Sequence, residues 1–303
     1  MIAALPPGTA VVLNADDPLL AQLPGDRANV TFFGIEYRGY AETTPRDAAD
    51  SKFCRRCGAP LVYEAVQLGH LGSYHCEGCG LRRPMLDVAA THIEMRGMEG
   101  SAVTIATPAG EIEIELPLPG LYNVYNAVAA AAAAHALGIS PCVIADGLAA
   151  ARAVFGRVET IDVNGHPIAI LLIKNPTGAN EVLRTITEQS DPFDLWIALN
   201  DKIADGRDIS WIWDVDFETL ADRVNTVTCS GTRAGELALR LAYAGVARDR
   251  ISVDEQIERS FDDAVAGAIA AATPMFALPT YTALLELRTA IARRGDAPSY
   301  WRQ

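Results

Sequence analysis

Ile168-Ala-Ile-Leu-Leu-Ile-Lys174-Asn-Pro-Thr-Gly-Ala-Asn180 decides the fold. Six apolar residues in a row, three of them Ile, read as a strand buried on both faces. Lys-Asn-Pro-Thr-Gly then breaks the run, and a helix is predicted over about Asn180–Glu188. The same rhythm continues downstream. Strands are predicted at Leu195–Leu199, Thr226–Cys229 and Met275–Leu278, and one precedes the quoted segment at Val158–Val163. Helices are predicted at Arg233–Tyr243, Ile257–Ala271 and Tyr281–Arg293. Strand–helix alternation of this kind implies a mainly parallel sheet covered on both faces, an α/β fold.

The N-terminal half has a different pattern. Val11–Leu13 is a short strand ending in Asn14-Ala15-Asp16-Asp17-Pro18, with Pro18 placed to open a helix. Val30–Ile35 reads as a second strand, and residues 36–50 as a polar loop. Alternation returns at Val88–Met95, Ala102–Thr107 and Glu111–Leu116. Helices are predicted at Asn123–Leu137, stopped by Gly138, and at Pro141–Val154. A boundary near Ala150–Gly156 divides the chain into domains of 1–150, with an insert at about 50–87, and 151–303.

Composition narrows the class. Of 303 residues, half are hydrophobic and 21% charged, which excludes a disordered chain. The net charge of −13 argues against nucleic acid as a partner, because phosphate binding needs a surplus of cations. No signal peptide opens the chain, and the longest apolar run, Ala127–Leu137, is too short to span a bilayer. A cytoplasmic protein without a transmembrane segment is expected.

Four of the six Cys lie in the insert as Cys54-Arg-Arg-Cys57 and Cys76-Glu-Gly-Cys79, each pair followed by Gly. Two such turns facing each other supply four thiolates to a tetrahedral Zn²⁺ site, structural because it is closed. His70 and His75 read as exposed loop residues. Cys142 and Cys229 read as buried structural thiols.

Two segments of the first half carry a resemblance. Val12-Leu-Asn14-Ala-Asp-Asp-Pro18 resembles the late strand and turn of the central ATPase domain of Mur ligases. Leu118-Pro-Gly-Leu-Tyr-Asn123-Val-Tyr-Asn126-Ala resembles the helix that ends that domain. The resemblance implies that Asn14, Asn123 and Asn126 frame adenine, a task suited to carboxamides, which donate and accept together. Read from the residues alone, Asn123 is a helix cap and Asn126 incidental. Phe155-Gly-Arg157-Val-Glu159 resembles the opening of the ligase C-terminal domain, and implies that Arg157, with Lys174, holds phosphate or a substrate carboxylate. Where these ligases carry Asp two residues before that Lys, this chain has Leu172.

The departure points to one branch. The quoted segment, the Cys₄ insert, Asn200-Asp-Lys-Ile-Ala-Asp-Gly-Arg-Asp208-Ile-Ser-Trp-Ile-Trp-Asp214 and Leu278-Pro-Thr-Tyr-Thr-Ala-Leu-Leu-Glu286 resemble the Mur-ligase-like subunits of lipid II isoglutaminyl synthase, the MurT family. That resemblance implies part of a central domain with an inserted zinc ribbon, followed by a Rossmann-like ligase C-terminal domain. It also implies action with a GatD-like glutamine amidotransferase partner on lipid II at the inner face of the membrane, amidating the D-glutamate α-carboxyl with ATP, Mg²⁺ and glutamine. By the same resemblance, an Asp of this subunit completes the partner's Cys–His pair. Asp201, just after the strand at 195–199, is the first choice, with Asp205, Asp208 and Asp214 as alternates. The nearby Trp211 and Trp213 argue for a contact surface over a purely solvated loop.

One element of such an ATPase is not in this sequence. The phosphate loop ends in Gly-Lys-[Ser/Thr], and Lys52, Lys174 and Lys202 follow Ser51, Ile173 and Asp201. The expectation is either a truncated ligase subunit or a shortened homologue that docks and activates a glutaminase without turning over ATP.

Overall fold

The computed structural model describes residues 2–44, 51–152, 159–187 and 192–294. They divide into two compact units, Met1–Arg152 and Ala153–Gln303.

In the first unit, β1 (Val11–Asn14), β2 (Val30–Ile35), β5 (Val88–Met95), β6 (Ser101–Thr107) and β7 (Gly110–Leu116) form one sheet in that order, with the hairpin β3 (Val62–Leu68) and β4 (Leu71–His75) inserted between β2 and β5. β1, β2 and β5 are parallel, with Leu13 opposite Phe32 and Phe33 opposite Val88; β6 and β7 continue antiparallel. Helix α1 (Leu121–Ala136) buries Val124, Val128, Ala131 and Ala132 against Val88, Ala90 and Ile105 of the sheet. Its Ala-rich face lets the helix lie close, and such small side chains cost no rotamer entropy. Helix α2 spans Pro141–Ala149 and stops short of the predicted Val154.

The helix predicted from Pro18 is not formed. Asp17 Oδ1 does accept Leu19 N–H at 2.7 Å, as a cap would, but Pro24-Gly25 follows within two turns and residues 15–26 remain a series of turns. A helix this short cannot repay its nucleation cost.

In the second unit, β8 (Glu159–Val163) and β9 (His166–Ile170) are followed by α3 (Pro176–Thr187), β10 (Phe193–Ala198), β11 (Val224–Ser230), α4 (Ala234–Tyr243), β12 (Ile251–Val253), α5 (Ile257–Ala271), β13 (Met275–Pro279) and α6 (Tyr281–Arg294). The sheet order is β12-β11-β10-β13-β9-β8, parallel except where β8 pairs with β9. The α/β expectation holds. All six residues of β10 are buried, and Trp196 packs edge-on against Phe261 of α5 at 5.4 Å while its Nε1 donates to Ser260 Oγ at 3.0 Å. Helix α3 begins four residues earlier than predicted. Asn175 Oδ1 accepts Gly178 N–H at 2.8 Å, so Asn175 caps the helix and Pro176 fills its first position.

Candidate functional site

The carboxyl ends of β10, β11 and β13 meet at Asn200. Its Oδ1 accepts Thr232 N–H at 3.0 Å, its Nδ2 donates to Thr282 Oγ1 at 2.9 Å and Glu286 Oε1 at 3.2 Å, and its own N–H reaches Thr280 Oγ1 at 3.0 Å. One buried carboxamide thus ties three loops together, using both its donor and its acceptor sides.

Asp201 follows directly. Its Oδ1 accepts Thr232 Oγ1–H at 2.9 Å, and its Oδ2 accepts Arg233 Nε–H at 2.8 Å, with Nη2 at 2.7 Å. The Thr232 hydroxyl, then the Arg233 guanidinium, hold its carboxyl below the usual range. The carboxylate borders a cleft of about 720 Å³ lined also by Lys202, Ile203, Arg207, Arg233 and Thr282. Ile203 is 85% exposed on that rim.

Two of the alternates, Asp205 and Asp208, have carboxylates with local structural tasks. Asp205 accepts Thr282 N–H at 2.8 Å and the Thr282 hydroxyl, capping α6. Asp208 accepts Ser210 N–H at 2.9 Å, which starts the short 3₁₀ turn Ser210–Asp214. Asp214 is exposed, and its carbonyl receives Asn180 Nδ2. Trp213 is half-exposed, with Tyr243 and the Arg240 guanidinium against its ring.

Lys174 is exposed immediately before the cap of α3. Arg157 lies outside the described residues. In the first unit, Asn14 Oδ1 accepts Asp16 N–H at 3.0 Å, closing the turn after β1. Asn123 and Asn126 are brought together: Asn126 Nδ2 donates to Asn123 Oδ1 at 3.2 Å, while Asn123 Nδ2 donates to Pro119 O at 2.8 Å. Asn123 is buried and Asn126 exposed.

The insert is built from two matching knuckles. Gly58 N–H donates to Cys54 O and Gly80 N–H to Cys76 O, and both glycines hold positive φ (+78° and +71°), which lets the chain turn back after each pair. The four sulfurs lie within 4.8 Å of one another, with Cys54–Cys79 at 3.6 Å and Cys57–Cys76 at 3.4 Å. A tetrahedral site with metal–sulfur bonds near 2.3 Å needs sulfurs roughly 3.8 Å apart, so the set fits a closed metal site. Burial pushes the Cys54 thiol up, but the N–H groups of Arg56 and Cys57 and the neighbouring sulfurs pull it further the other way, to about 7.

His70 lies in the β3–β4 turn as predicted and His75 ends β4, but both are half-buried rather than exposed: His70 Nε2 lies 3.7 Å from Asp17 and His75 Nδ1 3.4 Å from Glu64. Cys142 is exposed, correcting its expected burial, because α2 turns that face outward; Cys229 is buried, which pushes its thiol up to about 12. Sequence reasoning missed Asn200, Thr232 and Arg233. Their one visible signal is position, since Gly231-Thr232-Arg233 follows a strand just as Asn200-Asp201 does. Among the described residues no helix is long and apolar enough to cross a membrane.

Comparison with known proteins places both units. Residues 172–284 match the family described as MurT ligase C-terminal, and residues 78–134 the Mur ligase middle domain. The chain is 34% identical over 290 residues to the lipid II isoglutaminyl synthase (glutamine-hydrolyzing) subunit MurT of Streptococcus pneumoniae, covering 95% of this chain and 63% of that protein. It is 30% identical to the MurT subunit of Staphylococcus aureus over 91% of this chain and 61% of that one. The chain therefore spans about three-fifths of the curated relatives it matches. Among solved structures, a pseudomurein peptide ligase type C from Methanothermus fervidus superposes with a TM-score of 0.70 at 25% identity, covering 94% of this chain and 56% of that one. MurF from Acinetobacter baumannii shares the fold over 68% of this chain and 44% of its own, with a TM-score of 0.53 at 22% identity.

Proposed function

The chain belongs to the MurT family of Mur ligases, and on that premise we propose that it is the ligase-side subunit of a glutamine-dependent amidating complex of peptidoglycan synthesis. The acceptor is the α-carboxyl of D-glutamate in the lipid II stem peptide. In a subunit that carries the phosphate loop, which this sequence does not show, ATP activates it as an acyl phosphate; ammonia released from glutamine by a GatD-like partner attacks the carbonyl carbon, and phosphate leaves. Asn14, Asn123 and Asn126 serve the adenine side, and Arg157 and Lys174 the phosphate or substrate carboxylate. Mg²⁺ accompanies ATP. Zn²⁺ occupies the four Cys and acts structurally.

One observation carries the reading. Asp201 stands at the carboxyl end of β10, its carboxylate held ionised by Thr232 and Arg233 on the rim of an open cleft. Open α/β sheets place their working groups there. A carboxylate presented in this way can fix the tautomer of a partner's catalytic imidazole and stabilise its charged form. In the reconstituted complex, Asp201→Asn is expected to abolish glutamine hydrolysis while zinc content and co-elution with the partner persist. Hydrolysis near the unsubstituted rate refutes the assignment.

A second reading has the chain lend Asp201 to the glutaminase without ATP turnover. It is favoured by Asn123, whose carboxamide is engaged at both ends within its own helix start. Stimulated glutamine hydrolysis with no consumption of ATP distinguishes it.

A further inference from the structure

We infer that Arg83 is the post through which the metal ribbon holds the Asn14–Pro18 turn, so that filling the four-Cys site rigidifies that turn. The inference rests on the proposal that the four Cys bind a metal, and goes beyond it.

Arg83 stands four residues after Cys79, and its backbone belongs to the ribbon: Arg83 N–H donates to Tyr74 O at 3.0 Å, next to the His75–Arg82 bridge and the Cys76 N–H to Leu81 O bond at 2.8 Å. Its side chain belongs to the sheet. Nε lies 2.6 Å from Asp16 Oδ1, Nη2 donates to Ile35 O at 3.1 Å, and Nη1 reaches Glu36 Oε1 at 3.2 Å. Asp16 has 0% exposure, and its other oxygen accepts Ile35 N–H at 2.9 Å and Tyr125 O–H at 2.7 Å. The ribbon grips the same turn a second time through its hairpin, where Gly72 N–H donates to Asp16 O at 2.9 Å and His70 stands beside Asp17.

A buried carboxylate needs its cation, because losing the partner leaves a charge without compensation. Arg83 follows the Cys76–Cys79 knuckle by four residues, and without a cation the four sulfurs are joined only by weak thiol contacts at 3.6 Å (Cys54–Cys79) and 3.4 Å (Cys57–Cys76), far looser than four metal–sulfur bonds. Metal loss therefore frees the segment that carries Arg83, and the Asp16 turn loosens with it.

Hydrogen exchange on the 303-residue chain tests this, with zinc content measured in every sample. The reporters are peptides covering 14–21, whose Ala15 and Ala21 amides donate to Phe33 O and Asp17 O; β6 and β7 serve as an internal reference. Chelation is expected to raise exchange of 14–21 about tenfold or more while the reference stays protected. Arg83→Met, loaded with zinc, is expected to show the same rise with its zinc retained, and chelation then adds little. Arg83→Lys, which keeps the charge but cannot reach both Asp16 and Ile35 O, gives a smaller rise and stands in if the Met variant fails to fold. Three results overturn the inference: faster exchange confined to the knuckles, a rise shared equally with β6 and β7, or protected 14–21 peptides in both Arg83 variants with zinc bound. A chain that binds no metal overturns the metal proposal and this inference together.

Discussion

Arg233 grips Asp201 from the side, with Nε at 2.8 Å and Nη2 at 2.7 Å from the same carboxylate oxygen, Oδ2. Among the described residues, Oδ1 accepts the Thr232 hydroxyl. The strong, charged donor thus sits on one oxygen and leaves the other the easier to hand to an incoming imidazole, since a neutral hydroxyl is the weaker competitor.

That division predicts a pH effect. Thr232 and then Arg233 hold the Asp201 carboxyl below its ordinary value of 3.8. Arg233→Ala removes one of the two, so the carboxyl titrates at higher pH. The Asp must be ionised to stabilise an imidazolium. The acid limb of glutamine hydrolysis by the complex is therefore expected to move to higher pH in Arg233→Ala, with Arg233→Lys intermediate. An acid limb at the same pH, read from rate–pH profiles, removes Arg233 from the site.

Gly231 couples the fold to this site. It has φ +86°, and a Cβ there falls 2.6 Å from Leu199 O and 2.7 Å from Asn200 Oδ1. Both obstacles are fixed: one is backbone and the other is held by Thr232 N–H. Gly231→Ala is expected to cost about 1–3 kcal/mol by urea titration. It should also lower glutamine hydrolysis by more than the unfolded fraction explains, because displacing Asn200 displaces Thr232 and hence Asp201.

Removing the metal should destabilise one unit selectively. Free energy of metal binding to such a site is folding energy. Scanning calorimetry with and without a chelator is expected to lower the transition of the first unit by about 10 °C and leave that of the second within about 2 °C. Cys76→Ser should reproduce the shift without chelator. Equal movement of both transitions would contradict a local structural role.

How far a sequence can be read depends on how local each cause is. The central strands of the second unit are legible because burial writes apolar runs, as in Ile168–Ile173 and the fully buried Met275–Pro279, whereas the short edge strand β12 (Ile251–Val253), mostly exposed, carries no such run and is not predicted. The Cys₄ site is legible because both knuckles are local and their spacing repeats. Asp17-Pro18 and Asn175-Pro176 carry the same cap-and-proline signal, yet only the second starts a helix, because Pro24-Gly25 closes off the first. Asp201, Thr232 and Arg233 all share the visible place after a strand, but that the last two hold Asp201 is not legible, since their approach depends on β11 pairing with β10 about 30 residues away in sequence. In the sequence Arg83 is only one of several charges near the knuckles. Its pairing with Asp16, 67 residues earlier, exists only once the ribbon has docked.

The two Asn of α1 separate by stability before any nucleotide is added. Asn123 is 6% exposed and donates to Pro119 O at the start of its own helix. Truncating it leaves a buried carbonyl without its donor, a cost of about 1–3 kcal/mol. Asn126 is exposed and its one described bond is to Asn123. Asn123→Ala is therefore expected to lower the denaturation midpoint clearly, and Asn126→Ala to stay within about 0.5 kcal/mol of the unsubstituted chain. If the proposed ATP-dependent amidation holds, the order should reverse in kind there: Asn126→Ala is expected to raise the KM for ATP with stability intact, which a merely structural residue would not do. An unchanged KM for Asn126→Ala would remove it from the adenine side and leave Asn123 as the helix cap that its bonds describe.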